Sequence, residues 1–201
     1  MSWIKTIPFA QAEGRLRALY ERVKGPDDSV DQILQAHGLR PHTLEGHMAL
    51  YKSVLHHSGN RLPKWLLETV GVRVSLLNDC SYCVEHHFAG LRRLLRDDRR
   101  ADAMRAALET GSLAGIFKPR EIAILVYAEK LTRAPETITA AEIEQLRASG
   151  LDDGEILEVN QVTSYFAYAN RTVLGLGVTT GGDTLGLSPG DSEDPLNWQH
   201  A

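Results

Sequence analysis

Between residues 41 and 176 the apolar side chains of this chain recur three and four positions apart, and no alternating run bounded by turn residues argues for a strand. Leu44, Met48, Tyr51 and Leu55 form one such stripe, and Leu66, Val70, Val74 and Leu77 form a second. Pro41, Pro63 and Pro119 stand at the openings of apolar segments. Proline is suited to the first turn of a helix, where its missing N–H would have no partner in any case. Upstream, a helix is expected over Gln11 to Lys24, stopped by Gly25-Pro26, and a short one from Ser29 to near Gly38. Asn78-Asp79 is expected to cap a helix running to about Arg96, followed by a polar helix over Asp98 to Thr110 and an apolar one over Pro119 to Leu131. Thr139 with Glu142, and Asp152 with Glu155, carry the spacing of capping boxes, the second opening a long helix to about Leu176. The expectation is an all-α helical bundle over residues 1–178, with its informative segment at 62–97.

Residues 179–201 change character. Gly181-Gly182, Gly186, Pro189-Gly190 and the acidic run Asp191 to Asp194 leave an irregular tail that cannot bury much apolar surface of its own. It is expected to lie across a neighbouring surface or to stay unfolded, with Trp198 as an anchor.

Composition narrows the function. Of 201 residues 43% are apolar and 24% charged, with a net charge of −4. Neither nucleic acid nor an anionic membrane has an electrostatic reason to bind such a surface. No run approaches the roughly 18 apolar residues of a spanning helix, and the start of the chain has no apolar core of signal-peptide length. A cytoplasmic location is therefore expected. Only two cysteines are present, Cys80 and Cys83, and so close a pair in a reducing compartment points to redox chemistry or metal binding rather than to a disulfide scaffold.

On a helix beginning near Asp79 the two thiols lie one turn apart on one face. Their Cα atoms would then be about 5 Å apart, inside the window for a disulfide. His87 shares that face, four residues beyond Cys83. Its imidazole can accept a thiol proton and support the nucleophilic thiolate. The helix N-terminus favours a thiolate at Cys80, whereas His87 acts most directly on Cys83, and the residues alone leave the order open. Glu68 lies in the apolar run Trp65 to Val70 and would need a partner if buried. A hairpin could bring it to His87; the plainer alternative is a surface pair with Lys64. His86 is expected to face solvent or pack between helices, and His37, His42, His47, His56, His57 and His200 form no ligand spacing. A zinc site at Cys80, Cys83 and His87 would need a fourth ligand, from His86 or Glu68.

Glu68, Cys80, Cys83 and His87 are separated by eleven, two and three residues. In this spacing the chain resembles the alkylhydroperoxidase D-like (AhpD-like) family of the carboxymuconolactone decarboxylase superfamily, in particular its longer peroxidase-related branch. The likeness extends over roughly residues 8–178, through Tyr82-Cys83-Val84, Leu131 to Pro135, Asn170-Arg171 and Leu176-Gly177-Val178. It implies an all-α fold, a homo-oligomer and reduction of hydroperoxides. It also implies that Cys83 attacks the peroxide, that Cys80 condenses with the resulting sulfenic acid, and that His87 and Glu68 relay protons. An external dithiol, in some members borne on a lipoyl protein, resets the pair; no cofactor and no metal is called for. The family's best-known peroxidases carry histidine where this chain has Tyr82, and its decarboxylase branch lacks the cysteine pair. The alternatives are a dithiol–disulfide oxidoreductase that meets peroxide incidentally and a zinc-stabilised interaction module. Apolar faces on the Pro119 helix and on the last helix, too wide for one small core, are expected to meet a second copy.

Overall fold

The computed structural model describes residues 2–200; Met1 and Ala201, the ends of the expected domain and tail, lie outside the described residues. Among those residues there are nine α-helices and no strand: α1 (Gly14–Val23), α2 (Gln32–Ala36), α3 (Pro41–Leu55), α4 (Lys64–Leu77), α5 (Ser81–Leu95), α6 (Asp98–Thr110), α7 (Pro119–Arg133), α8 (Ala140–Ala148) and α9 (Asp153–Leu176). The chain is all-α, as its periodicity predicts. The two capping boxes form: Glu142 accepts from the Thr139 N–H at 2.8 Å, and Asp152 accepts from the Glu155 N–H at 2.8 Å. Each satisfies N–H groups that the first turn of a helix leaves unpaired.

Three boundaries differ from the sequence expectation. The first helix begins at Gly14, because Phe9–Gln11 closes a 3₁₀ turn and the backbone at Ala12 and Glu13 is extended. Between Gly25 and Gly38 only Gln32–Ala36 is α-helical, since Ser29 and Asp31 are extended after a 3₁₀ turn at Pro26–Asp28. The third concerns the reactive turn. Asn78-Asp79 does not cap α5; Cys80 does. The N–H groups of Asn78, Asp79 and Cys80 return to the carbonyls of Val74, Leu76 and Ser75, so these residues finish α4 instead of starting α5. Asp79 adopts a left-handed φ of 54° to make the reversal.

Helix α4 is the axis of the bundle, packed by α5, α7 and α9. Every residue from Leu66 to Ser75 is buried, so the expected stripe is in fact a helix covered on all sides. Leu66, Leu67, Val70, Val72 and Val74 gain roughly 1.5–3 kcal/mol each on leaving water. Two features let so apolar a helix hold polar groups. Arg73 is neutralised by Glu129 at 2.5 Å and also donates to the Leu108 carbonyl. Gly71 lets α9 approach, since a Cβ there would lie 2.2 Å from the Phe166 ring.

After α9 the tail folds back along its own chain. Trp198 is buried beneath the Arg22 guanidinium, 3.9 Å from its ring centroid, and so serves as the anchor the sequence suggested. The Lys52 ammonium, fully buried, donates to the carbonyls of His56 and Gly190 and to Ser192 Oγ, at 2.8, 2.5 and 3.0 Å.

Candidate active site

Cys80 is the N-cap of α5 and Cys83 lies in its first turn; both are free thiols and both are buried. The α4–α5 turn that presents them is locked by Asn170 of α9, itself wholly buried. Asn170 Oδ1 accepts from Asn78 Nδ2 at 2.9 Å, and Asn170 Nδ2 donates to Ser75 Oγ at 3.1 Å. Sequence inspection found Asn170 only through family resemblance; nothing in its local pattern marked it as part of a site.

The two sulfurs form one hydrogen-bonded pair. The S–H of Cys83, its backbone N–H and the Asn170 side chain hold the Cys80 thiol below its ordinary range, against the opposing effect of burial. Donating that bond to Cys80, together with burial, pushes the Cys83 thiol well up. The proton of Cys83 is thus the more firmly held of the two. Moving it to Cys80, or to a neighbouring base, exposes a thiolate at Cys83.

The neighbouring base is His87. Its Nδ1 meets Glu68 Oε2 at 2.7 Å, and the Glu68 side chain is only 3% exposed. Lys64, the alternative partner for Glu68, pairs instead with Asp191 of the tail at 2.9 Å. A carboxylate on Nδ1 holds the ring proton at that nitrogen and leaves Nε2 as the basic one. The bond also meets the cost of burying a carboxylate, by roughly 1.5–3 kcal/mol for a charge-assisted hydrogen bond.

Cys83, His87 and Glu68 line one partly open cavity of about 40 Å³. Room of that size admits a few water-sized groups, each needing roughly 10–15 Å³. Cys80 does not line it. It sits beneath a separate cleft of about 220 Å³ with Asp79, Ser81, Glu85 and Arg105. The four sequence candidates are therefore brought together, but the two thiols are divided between two openings.

Several lining groups escaped the sequence. Tyr51 of α3 and Tyr165 of α9 stack with centroids 5.5 Å apart on the cavity wall, and His47 lies 5.8 Å from Tyr165. Burial, then the neighbouring imidazoles of His37, His200 and His87, pushes His47 down to about 3, so it stays neutral. His86, expected to face solvent or pack between helices, is buried and lines the cavity. It stacks on Tyr82 at 4.5 Å, and its Nε2 lies 3.1 Å from Asp183 of the tail. Tyr82 donates to the same carboxylate at 2.8 Å, and burial raises its hydroxyl well above the usual range. His200 of the tail meets Asp31 at 3.2 Å. These residues come from distant segments, and no spacing rule connects them. Among the described residues no three His, Cys, Asp or Glu side chains converge as a metal-ligand set.

Comparison with known proteins agrees with this architecture. Residues 41–115 match the model of the carboxymuconolactone decarboxylase family. The protein YdfG of Bacillus subtilis (strain 168) is 23% identical over 152 residues, 74% of this chain and 96% of YdfG. A peroxidase-related protein with an alkylhydroperoxidase AhpD core, from Ralstonia eutropha JMP134, superposes with a TM-score of 0.79 at 24% identity, covering 90% of this chain and 93% of that one. A peroxidase-related protein from Silicibacter sp. TM1040 gives 0.77 at 24% identity, with the same coverage. Residues 41–115 are thus similar to the carboxymuconolactone decarboxylase family, and the chain shares the all-α fold of these two solved structures.

Proposed function

We propose that this protein is a thiol-dependent peroxidase that reduces hydroperoxides through Cys83 and Cys80. The observation that carries the reading is the cavity that Cys83 and His87 line together, with His87 oriented by the buried Glu68. Acidity alone favours a thiolate at Cys80, but Cys80 lies outside that cavity. The cavity lining supports Cys83, because a nucleophile must reach the peroxide before its protonation state matters.

The cycle begins when the Cys83 thiolate attacks a peroxide oxygen. A sulfur–oxygen bond forms, the oxygen–oxygen bond breaks, and the alkoxide or hydroxide leaves with the proton that His87 took up. Cys83 is then a sulfenic acid. Cys80, one turn away, attacks its sulfur and expels the hydroxyl group as water, so the two thiols have supplied both electrons. An external dithiol restores the pair by two exchange steps. The wider cleft over Cys80 suits that reductant, and a lipoyl-bearing protein is one source of it. The same cleft favours a second reading, a dithiol–disulfide oxidoreductase with incidental peroxide activity. A reducing cytoplasm suits either. Among the described residues no helix is long and apolar enough to cross a membrane.

Peroxide consumption with a panel of dithiols separates the two readings, since an oxidoreductase would exchange thiols far faster than it consumes peroxide. Cys83→Ser is expected to abolish turnover. Cys80→Ser is expected to leave one stoichiometric reaction, after which Cys83 advances to sulfinic acid, visible as a gain of two oxygens by mass spectrometry. A first reaction that survives in Cys83→Ser and is lost in Cys80→Ser reverses the roles.

A further inference from the structure

The tail lies beyond the segment that matches the family, yet it forms part of the cavity wall. Gly186, Leu187, Ser188 and His200 line the cavity beside Cys83. Three contacts hold this wall in place. The Asp183 side chain is 2% exposed and accepts from Tyr82 Oη at 2.8 Å, from the Gln32 N–H at 3.1 Å and from His86 Nε2 at 3.1 Å. Tyr82 and His86 belong to α5, the helix that carries Cys83. At Gly186 the tail backbone crosses α5 so closely that a Cβ would lie 2.9 Å from the backbone of Ala89 and Gly90. Gly186 there adopts φ 79°, a conformation that favours glycine, and its carbonyl accepts from Arg93 at 2.7 Å. Leu187 wedges toward Gly25, whose missing Cβ would lie 2.7 Å from Leu187 Cδ1.

We propose that the tail is the specificity-determining wall of the Cys83 cavity, with Asp183 as the positioning residue that fixes it to α5, and that it confines the site to hydrogen peroxide and small hydroperoxides. The substrate class rests on the peroxidase reading above; the wall itself does not. A carboxylate that is buried away from water holds its place through its three donors, so it ties residues 183–188 to the helix bearing the nucleophile. The roughly 40 Å³ left beneath the wall accommodates a peroxide group with a short substituent, and not an aryl one.

The wall is tested without peroxide in the full-length chain carrying Cys80→Ser, so that Cys83 is the only thiol. Its rates of modification by methyl methanethiosulfonate and by a bulky aromatic methanethiosulfonate are compared. The parent is expected to react with the small reagent and to resist the large one. Asp183→Ala and Gly186→Ala are expected to raise the large-to-small rate ratio by about tenfold or more, the factor for losing one charge-assisted hydrogen bond. Leu187→Ala, which leaves the anchors intact, is expected to raise it as well, and it carries the test if an anchor variant fails to fold. An unchanged ratio in the folded variants, or a parent that takes both reagents equally, overturns the wall. In the chain with both cysteines, the preference for hydrogen peroxide over cumene hydroperoxide should relax in Asp183→Ala. If the reagent ratio shifts while neither peroxide is consumed, the wall stands and the peroxidase reading with its substrate class falls. If the reagent ratio shifts while the peroxide preference does not, the substrate class is overturned.

Discussion

Replacing His47 with glutamine is expected to make the folded protein markedly less sensitive to acid. His47 is 3% exposed, and burial with the neighbouring imidazoles lowers it from 6.5 to about 3. Below pH 6.5 the unfolded chain binds a proton at this residue that the folded protein refuses, so stability rises with pH and is lost on acidification. Each unit between the two values costs about 1.4 kcal/mol. The contribution of His47 is therefore negligible at pH 7.5, about 1.4 kcal/mol of lost stability at pH 5.5 and about 2.7 kcal/mol at pH 4.5. The first figure is insensitive to the folded value, provided that it lies well below 5.5. His56 and His37, also lowered by burial, steepen the parent curve but cancel in the difference between parent and variant. Losing the ring contacts to Tyr51 and Tyr165 shifts absolute stability at every pH and leaves the slope untouched. Urea unfolding of parent and His47→Gln from pH 7.5 to 4.5 measures the effect. Parallel curves would refute the claim that a neutral, desolvated imidazole occupies this wall.

Three further outcomes are expected. Glu68→Gln and His87→Ala should each raise the pH at which Cys83 becomes reactive and slow its oxidation, by about a hundredfold for His87→Ala; coincident profiles of alkylation rate against pH would reduce both residues to structural ones. Gly71→Ala should destabilise the fold by about 1–2 kcal/mol, because displacing the Phe166 ring outweighs the helix propensity gained. An unchanged melting temperature would deny the close approach of α4 and α9. Val126, Leu157, Tyr168 and Leu174 are 54%, 59%, 40% and 44% exposed, and a second copy is expected to cover part of this surface; a single 22.2 kDa species in sedimentation at micromolar concentration would remove that expectation.

The sequence by itself determined the helices and singled out the candidate quartet. Periodicity, proline-led starts and capping boxes depend on residues within one or two turns of each other, so local reading located α3 to α9 and missed only ends governed by turn geometry, such as the shift of the α5 cap to Cys80. The spacing of Glu68, Cys80, Cys83 and His87 was likewise legible, because three of the four share one helix turn and its neighbour. What tertiary structure decided is how these groups are used. Glu68 reaches His87 because α4 and α5 fold back as a hairpin at the Asn78–Cys80 turn. Cys83 lines one opening and Cys80 another. Asp183, His47, His200, Tyr51 and Tyr165 converge from segments up to 153 positions apart. No periodicity encodes such a convergence. It arises when buried polar groups from separate elements must find partners in one another once water is excluded.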